Sequence, residues 1–266
     1  MVHAKTRRPL LAANWKMNLL SAEARDWCHA VADGLAERGW DATRGPQALV
    51  FPSHPLLSQV AAVLDTRPVG VGGQDLHEEP TGAHTGDVSA PQLVDAGATW
   101  VLVGHSERRR DHRESDELVG HKLATATAHG LEPVLCIGES LEERQAERTF
   151  EVLERQLRAG LAAAELSPAT PVVVAYEPVW AIGTGEVATP ETAQEAHAFL
   201  RRLLPEVLPE ALVGGTRLLY GGSVKPGNAA GLIAQPDVDG FLVGGASLDP
   251  GKFLAIMERC DEATTP

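Results

Sequence analysis

The sequence predicts an α/β chain folded as one closed (β/α)8 barrel over residues 1–266. Three observations carry this. Eight short apolar runs recur along the chain, segments of helical periodicity lie between them, and no linker or composition break divides the series. At 266 residues the chain fits one large α/β domain. An open doubly wound sheet shares the same alternation, but a count of eight favours closure.

The apolar runs are Leu10–Ala13, Ala48–Phe51, Val69–Val71, Trp100–Val103, Val134–Ile137, Val172–Ala175, Leu218–Tyr220 and Phe241–Val243. Most lack polar alternation, as expected of parallel strands buried on both faces. Between them, Ala24, Trp27, Val31 and Leu35 recur at helical spacing within Ser21–Arg38. Ala146, Phe150, Leu153, Leu157 and Leu161 do the same within Leu141–Leu161, read as one helix. Ser140 with Glu143 and Ser89 with Gln92 form capping boxes. Thr189 and Pro190 form an N-cap pair ahead of Ala193, Ala196, Leu200 and Leu203. Gly97 and Gly130 sit where helices should stop.

Composition narrows the function. Hydrophobic residues make up 44% and charged residues 22%, enough for a core and a wetted surface. The net charge of −13 disfavours nucleic acid and anionic membranes as partners, despite Arg108-Arg109-Arg110. No apolar run approaches the ~18 residues that span a bilayer. The basic N-terminus has an apolar stretch that stops at Asn14, too short for a signal peptide. Cys28, Cys136 and Cys260 are far apart without CxxC spacing, so neither a disulfide framework nor zinc is expected, and a reducing cytoplasm is. Cys136 reads as core. The ten histidines are scattered, with no HExxH, and no metal is expected. Neither GxSxG nor a Walker lysine motif occurs.

In a barrel of this kind, chemistry sits where strands hand over to the following loops. The polar residues there are Asn14 and Lys16, Gln74 and Asp75, His105 and Glu107, Gly138 and Glu139, then Glu177. Gly221, Gly222, Ser223, Gly244 and Gly245 follow the last two runs. Lys16 alone could be a surface lysine and His105 alone a core histidine. A carboxylate such as Glu177 at a buried strand end is costly unless paired. At one rim, the three supply a cation, an electrophile and a base, a set suited to abstracting a proton beside a carbonyl. Glycine turns after strands seven and eight expose backbone N–H groups that suit a phosphate. The apolar segment from Pro178 to Glu186, with Gly183 and Gly185 at its far end, reads as a lid that excludes water. Its loose GxGxxG/A match lacks the strand and acidic residue of a dinucleotide site.

The sequence resembles the triosephosphate isomerase family. The resemblance runs from Asn14-Trp-Lys-Met-Asn18 through Gly104-His-Ser-Glu-Arg-Arg109 and Ala175-Tyr-Glu-Pro-Val-Trp-Ala-Ile-Gly-Thr-Gly185. It continues in Tyr220-Gly-Gly-Ser-Val224 and Gly240-Phe-Leu-Val-Gly-Gly-Ala-Ser-Leu248. It implies interconversion of dihydroxyacetone phosphate and glyceraldehyde 3-phosphate without a cofactor, within glycolysis and gluconeogenesis. Catalytic roles fall to Glu177 as base, His105 as neutral electrophile and Lys16 as electrostatic partner. Asn14 and Lys16 would hold the substrate. Gly183, Ser223, Gly244 and Gly245 would contact its phosphate, and Glu107 would support. The resemblance also implies a homodimer in which the loop Gly82–Asp87 inserts into the partner, with Thr85 reaching the neighbouring site. His84 stands where the family has Phe or Tyr, Leu19 where glycine is common, His112-Arg113 for an aromatic-Gly pair, and Asp75 for Asn. A sister isomerase of a four-carbon ketose phosphate, and a phosphate-binding sensor on the same scaffold, are the competing readings.

Overall fold

A computed structural model describes residues 7–169, 171–181 and 188–264. Eight parallel strands close on themselves in chain order. They are β1 (Leu10–Asn14), β2 (Gln47–Phe51), β3 (Val69–Gly73), β4 (Trp100–Val103), β5 (Glu132–Ile137), β6 (Val173–Tyr176), β7 (Leu218–Tyr220) and β8 (Gly240–Val243). β8 returns to β1, with Leu10 beside Gly240 and Ala13 beside Val243. Each apolar run therefore became a strand. Polar Gln47 and Glu132 extend two of them at their starts.

The continuous apolarity has a direct cause. Leu10, Ala12, Leu49, Phe51, Trp100, Leu102, Val134, Cys136, Val173, Ala175, Leu219 and Leu242 fill the barrel interior as one cluster. Their neighbours Leu11, Ala13, Val50, Val101, Leu135, Val174 and Val243 pack outward under the helices in a second, larger cluster. A strand rotates its side chains by two-residue alternation, and here both sides are dry. Cys136 is fully buried in the inner cluster, as its context predicts.

Most helices follow the sequence signals. Ala24, Trp27, Val31 and Leu35 are buried along Ser21–Glu37. Ser89 and Ser140 close their capping boxes, and Thr189 accepts the Thr192 N–H. Gly97 and Gly130 take φ of +91° and +78°, the left-handed turn that ends a helix cheaply on glycine.

The expected helix Leu141–Leu161 is instead two, Leu141–Gln145 and Thr149–Leu161. Glu147 adopts φ of +57° between them. The Arg148 N–H reaches the Glu143 carbonyl and the Glu147 N–H reaches Arg144, the paired bonds of a Schellman ending. No glycine marks this stop, so periodicity read through it. Ala146 and Phe150 are consequently exposed, and the buried face begins at Val152 and Leu153. Among the described residues, no helix is long and apolar enough to cross a membrane.

Candidate active site

The alternation that fills the barrel also builds its mouth. Continued past the strand ends, the inward series Leu10, Ala12 reaches Asn14, Val134 and Cys136 lead to Gly138, and Val173 and Ala175 lead to Glu177. Leu219 likewise leads to Gly221 and Leu242 to Gly244. These positions form the top layer, where the interior opens into a cavity of about 410 Å³. Asn14, Lys16, His105, Glu177, Ser223, Gly244 and Gly245 all line it. Every sequence-predicted site residue in the described part of the chain therefore meets at one place. Gly183 and most of the expected lid lie outside the described residues.

Glu177 is 2% exposed, and both of its oxygens are engaged. Oε1 lies 3.0 Å from His105 Nε2, and Oε2 accepts the Ser106 N–H at 2.9 Å. Burial pushes the carboxyl toward its neutral form, but His105, the Ser106 amide and Lys16 together hold its pKa below the ordinary value. The base stays charged inside a dry wall. The glycines beside it are steric requirements. Ile137 pairs with Tyr176 and Tyr176 with Tyr220, so Gly138 and Gly221 flank Glu177. A Cβ at Gly221 would lie 2.9 Å from Glu177 Cγ, and one at Gly138 would overlap the Glu177 carbonyl.

His105 caps the helix Ser106–His112, and its Nδ1 accepts the Glu107 N–H at 3.2 Å. That bond places the ring proton of a neutral imidazole on Nε2, facing Glu177 and the cavity. Burial favours the neutral ring, yet the adjacent Glu177 carboxylate outweighs it and the pKa is raised. Lys16 opposes the rise. When the carboxylate leaves the ring, burial and Lys16 still favour the neutral imidazole, with Glu107 the remaining opposing charge.

Lys16 takes φ of +53°, a strained backbone for a non-glycine residue. Its N–H donates to Asn14 Oδ1 at 3.0 Å, and its carbonyl accepts from Gln74 Nε2 at 2.8 Å. Asn14 and Gln74 thus hold the turn that aims the ammonium. Lys16 Nζ meets Glu107 Oε1 at 2.7 Å. After β7, Asn228 Nδ2 donates to the Ser223 carbonyl at 3.0 Å.

The residues that depart from the expected pattern also find places. Asp75 joins Glu114, Lys122 and Arg108 in a compact cluster of two anions and two cations, with contacts of 2.6–2.9 Å. Leu19 accepts φ of +67° where glycine would be unstrained. The histidines are less scattered than the sequence suggested. His77 and His84 stack at 3.8 Å, and with Asp87 they place three donor atoms within 4.8 Å of one another. His77 Nδ1 already accepts the Glu79 N–H at 2.9 Å, which leaves its proton on Nε2, toward Asp87.

Sequence reasoning gave Glu139 no role. It is fully buried, and its Oε1 accepts from Tyr176 Oη at 3.1 Å and Trp180 Nε1 at 2.9 Å. Its position directly after a buried strand was the available signal. Gln156, a polar residue on the apolar face of Thr149–Leu161, was missed entirely.

A family model described as triosephosphate isomerase matches residues 9–260. The chain belongs to the triosephosphate isomerase family. It is 47% identical over 257 residues to a triosephosphate isomerase of Symbiobacterium thermophilum, covering 97% of this chain and 98% of that one. Triosephosphate isomerases of Syntrophotalea carbinolica and Chloroflexus aurantiacus are each 45% identical, over 252 and 251 residues. These alignments cover 95% and 94% of this chain and 98% of each relative. The eight-stranded closed sheet is accordingly the TIM barrel that such membership requires.

Proposed function

We propose that the chain interconverts dihydroxyacetone phosphate and D-glyceraldehyde 3-phosphate. The observation that carries this is the meeting of Glu177, His105 and Lys16 around one cavity that Ser223, Gly244 and Gly245 also line. Glu177 exchanges its contact with His105 for the substrate and removes a proton from C1. The C–H electron pair becomes the C1–C2 double bond, and the carbonyl pair moves onto O2. His105 Nε2–H and the Lys16 ammonium stabilise that oxygen. A proton passes between the two oxygens through the imidazole. The Glu177 carboxylic acid then returns its proton to C2 and the aldehyde forms at C1. No electrons leave the substrate.

The phosphate is remote from the reacting carbons. Ser223, Gly244 and Gly245 take its oxygens, together with Gly183 of the 178–186 segment, and its binding energy drives closure over the enediolate. Asn14 helps hold the substrate and, with Glu107, orients Lys16. The chain works as a single barrel domain in the cytoplasm, in glycolysis and gluconeogenesis, and as a homodimer. Support for the dimer comes from Met17 at 94% and Leu20 at 75% exposure, and from a Gly82–Asp87 loop that is exposed throughout. In that dimer Thr85 reaches the partner's cavity.

A coupled assay on purified protein tests the activity, with a four-carbon ketose phosphate as the competing substrate. Higher kcat/KM on the triose phosphates is expected. Turnover that survives Glu177→Ala removes the assignment.

A further inference from the structure

The base is held by more than its own contacts. Gln156 lies on Thr149–Leu161 among Val152, Leu153, Leu157 and Leu161, and it is 6% exposed. A buried carboxamide is costly unless its donors and acceptors are used. Here they are used on one residue. Gln156 Oε1 accepts the Gly138 N–H at 2.7 Å, and Gln156 Nε2 donates to the Gly138 carbonyl at 3.3 Å. Among the described residues, no backbone group bonds either end of Gly138. The bonds to the neighbouring segment step over it, with the Glu177 N–H on the Ile137 carbonyl at 2.7 Å and the Val179 N–H on the Glu139 carbonyl at 3.2 Å.

We infer that Gln156 is a positioning residue for the Glu177 carboxylate, acting through the peptide of Gly138. Gly138 abuts the Glu177 backbone with no room for a single added carbon. Gly221 closes the other side. Glu177 is therefore wedged between two backbones, and the carboxamide clamps one of them. Any displacement of Gly138 passes to the base without a compressible side chain between. Among the described residues, neither Gln156 nor Gly138 is hydrogen-bonded to Ser223, Gly244 or Gly245, which line the phosphate side of the cavity.

The inference rests on the isomerase reading, and its test separates the two. Gln156→Met removes both bonds at similar volume. Gln156→Glu keeps the acceptor, and its carboxyl supplies a donor to the Gly138 carbonyl only while protonated. Steady-state kinetics of both variants are compared with the parent across about pH 5–9, with inorganic phosphate as a competitive inhibitor and circular dichroism as the folding check. For Gln156→Met, kcat should fall about 10- to 100-fold, the scale of a displaced reacting group. KM and the phosphate inhibition constant should stay within about twofold. For Gln156→Glu, kcat relative to the parent should decline as pH rises. Either variant, once folded, decides the question. Unchanged kcat, or kcat, KM and phosphate affinity worsening together without a pH trend, overturns the positioning role. An inactive parent protein overturns the isomerase reading and the inference with it.

Discussion

Acid is expected to weaken the side of the barrel that carries Glu177, through His197. This residue lies on the helix Pro190–Val207 and is fully buried. Its ring sits edge-on to Tyr176 of β6 at 5.7 Å and 6.3 Å from Tyr220 of β7. Nδ1 bonds the Ala193 carbonyl at 2.7 Å. Burial drives its pKa from 6.5 down to about 4, against the opposing pull of the Ala193 carbonyl. The folded state thus prefers the neutral ring more than the unfolded chain does. Its contribution is complete above pH 6.5 and is lost as pH falls toward 4. Over the whole range the loss is about 3 kcal/mol, and between about pH 7 and pH 5 it is about 2 kcal/mol. Urea unfolding at both pH values measures it directly, in the parent and in Gln and Leu variants of His197. The parent should lose about 2 kcal/mol more than either variant over this interval. Equal pH dependence in parent and variants would refute the reasoning, because the titrating group would then be elsewhere.

Three further outcomes are expected. In His105→Gln, Glu177 loses its strongest lowering neighbour while burial still opposes its charge, so its pKa rises. The acid limb of the residual kcat/KM profile should therefore move to higher pH, and an unmoved limb contradicts the pairing. Lys122→Met leaves Asp75 and Glu114 facing only Arg108, and it should cost about 3–5 kcal/mol in chemical denaturation, as breaking a buried ion cluster does. A loss below about 1 kcal/mol, typical of surface pairs, would show that the cluster is not stabilising. Met17→Lys places a charge on the most exposed large apolar side chain of the described surface and should shift sedimentation from dimer to monomer. A parent that already sediments as a monomer excludes the dimer.

The strands were legible because each is buried on both faces, which leaves a run of apolar residues that a helix face of this length does not produce. The site was legible for the same reason. Inward alternation ends at Asn14, Glu177, Gly221 and Gly244, where polar or glycine residues replace Leu and Ala. What escaped the sequence depends on partners distant in the chain or on unusual backbone. The stop at Glu147 uses a left-handed residue that is not glycine. Gln156 looks like a flaw in a helix face until Gly138 is beside it. Asn14 lines the cavity, and its contact to the Lys16 N–H, which supports the strained turn, has no sign in the sequence. His77 and His84 are seven apart in sequence and separated by irregular, bent backbone, so their stacking has no periodic signature.

Replacement of the base isolates the central claim most directly. Glu177→Gln keeps the side-chain shape and an acceptor for the Ser106 N–H, and removes only the group that takes the proton. Turnover of dihydroxyacetone phosphate should fall at least about 10²-fold, at the lower edge of what general-base catalysis contributes, while inorganic phosphate still inhibits at its parental concentration. Parental turnover in this variant would mean that proton abstraction belongs to another residue.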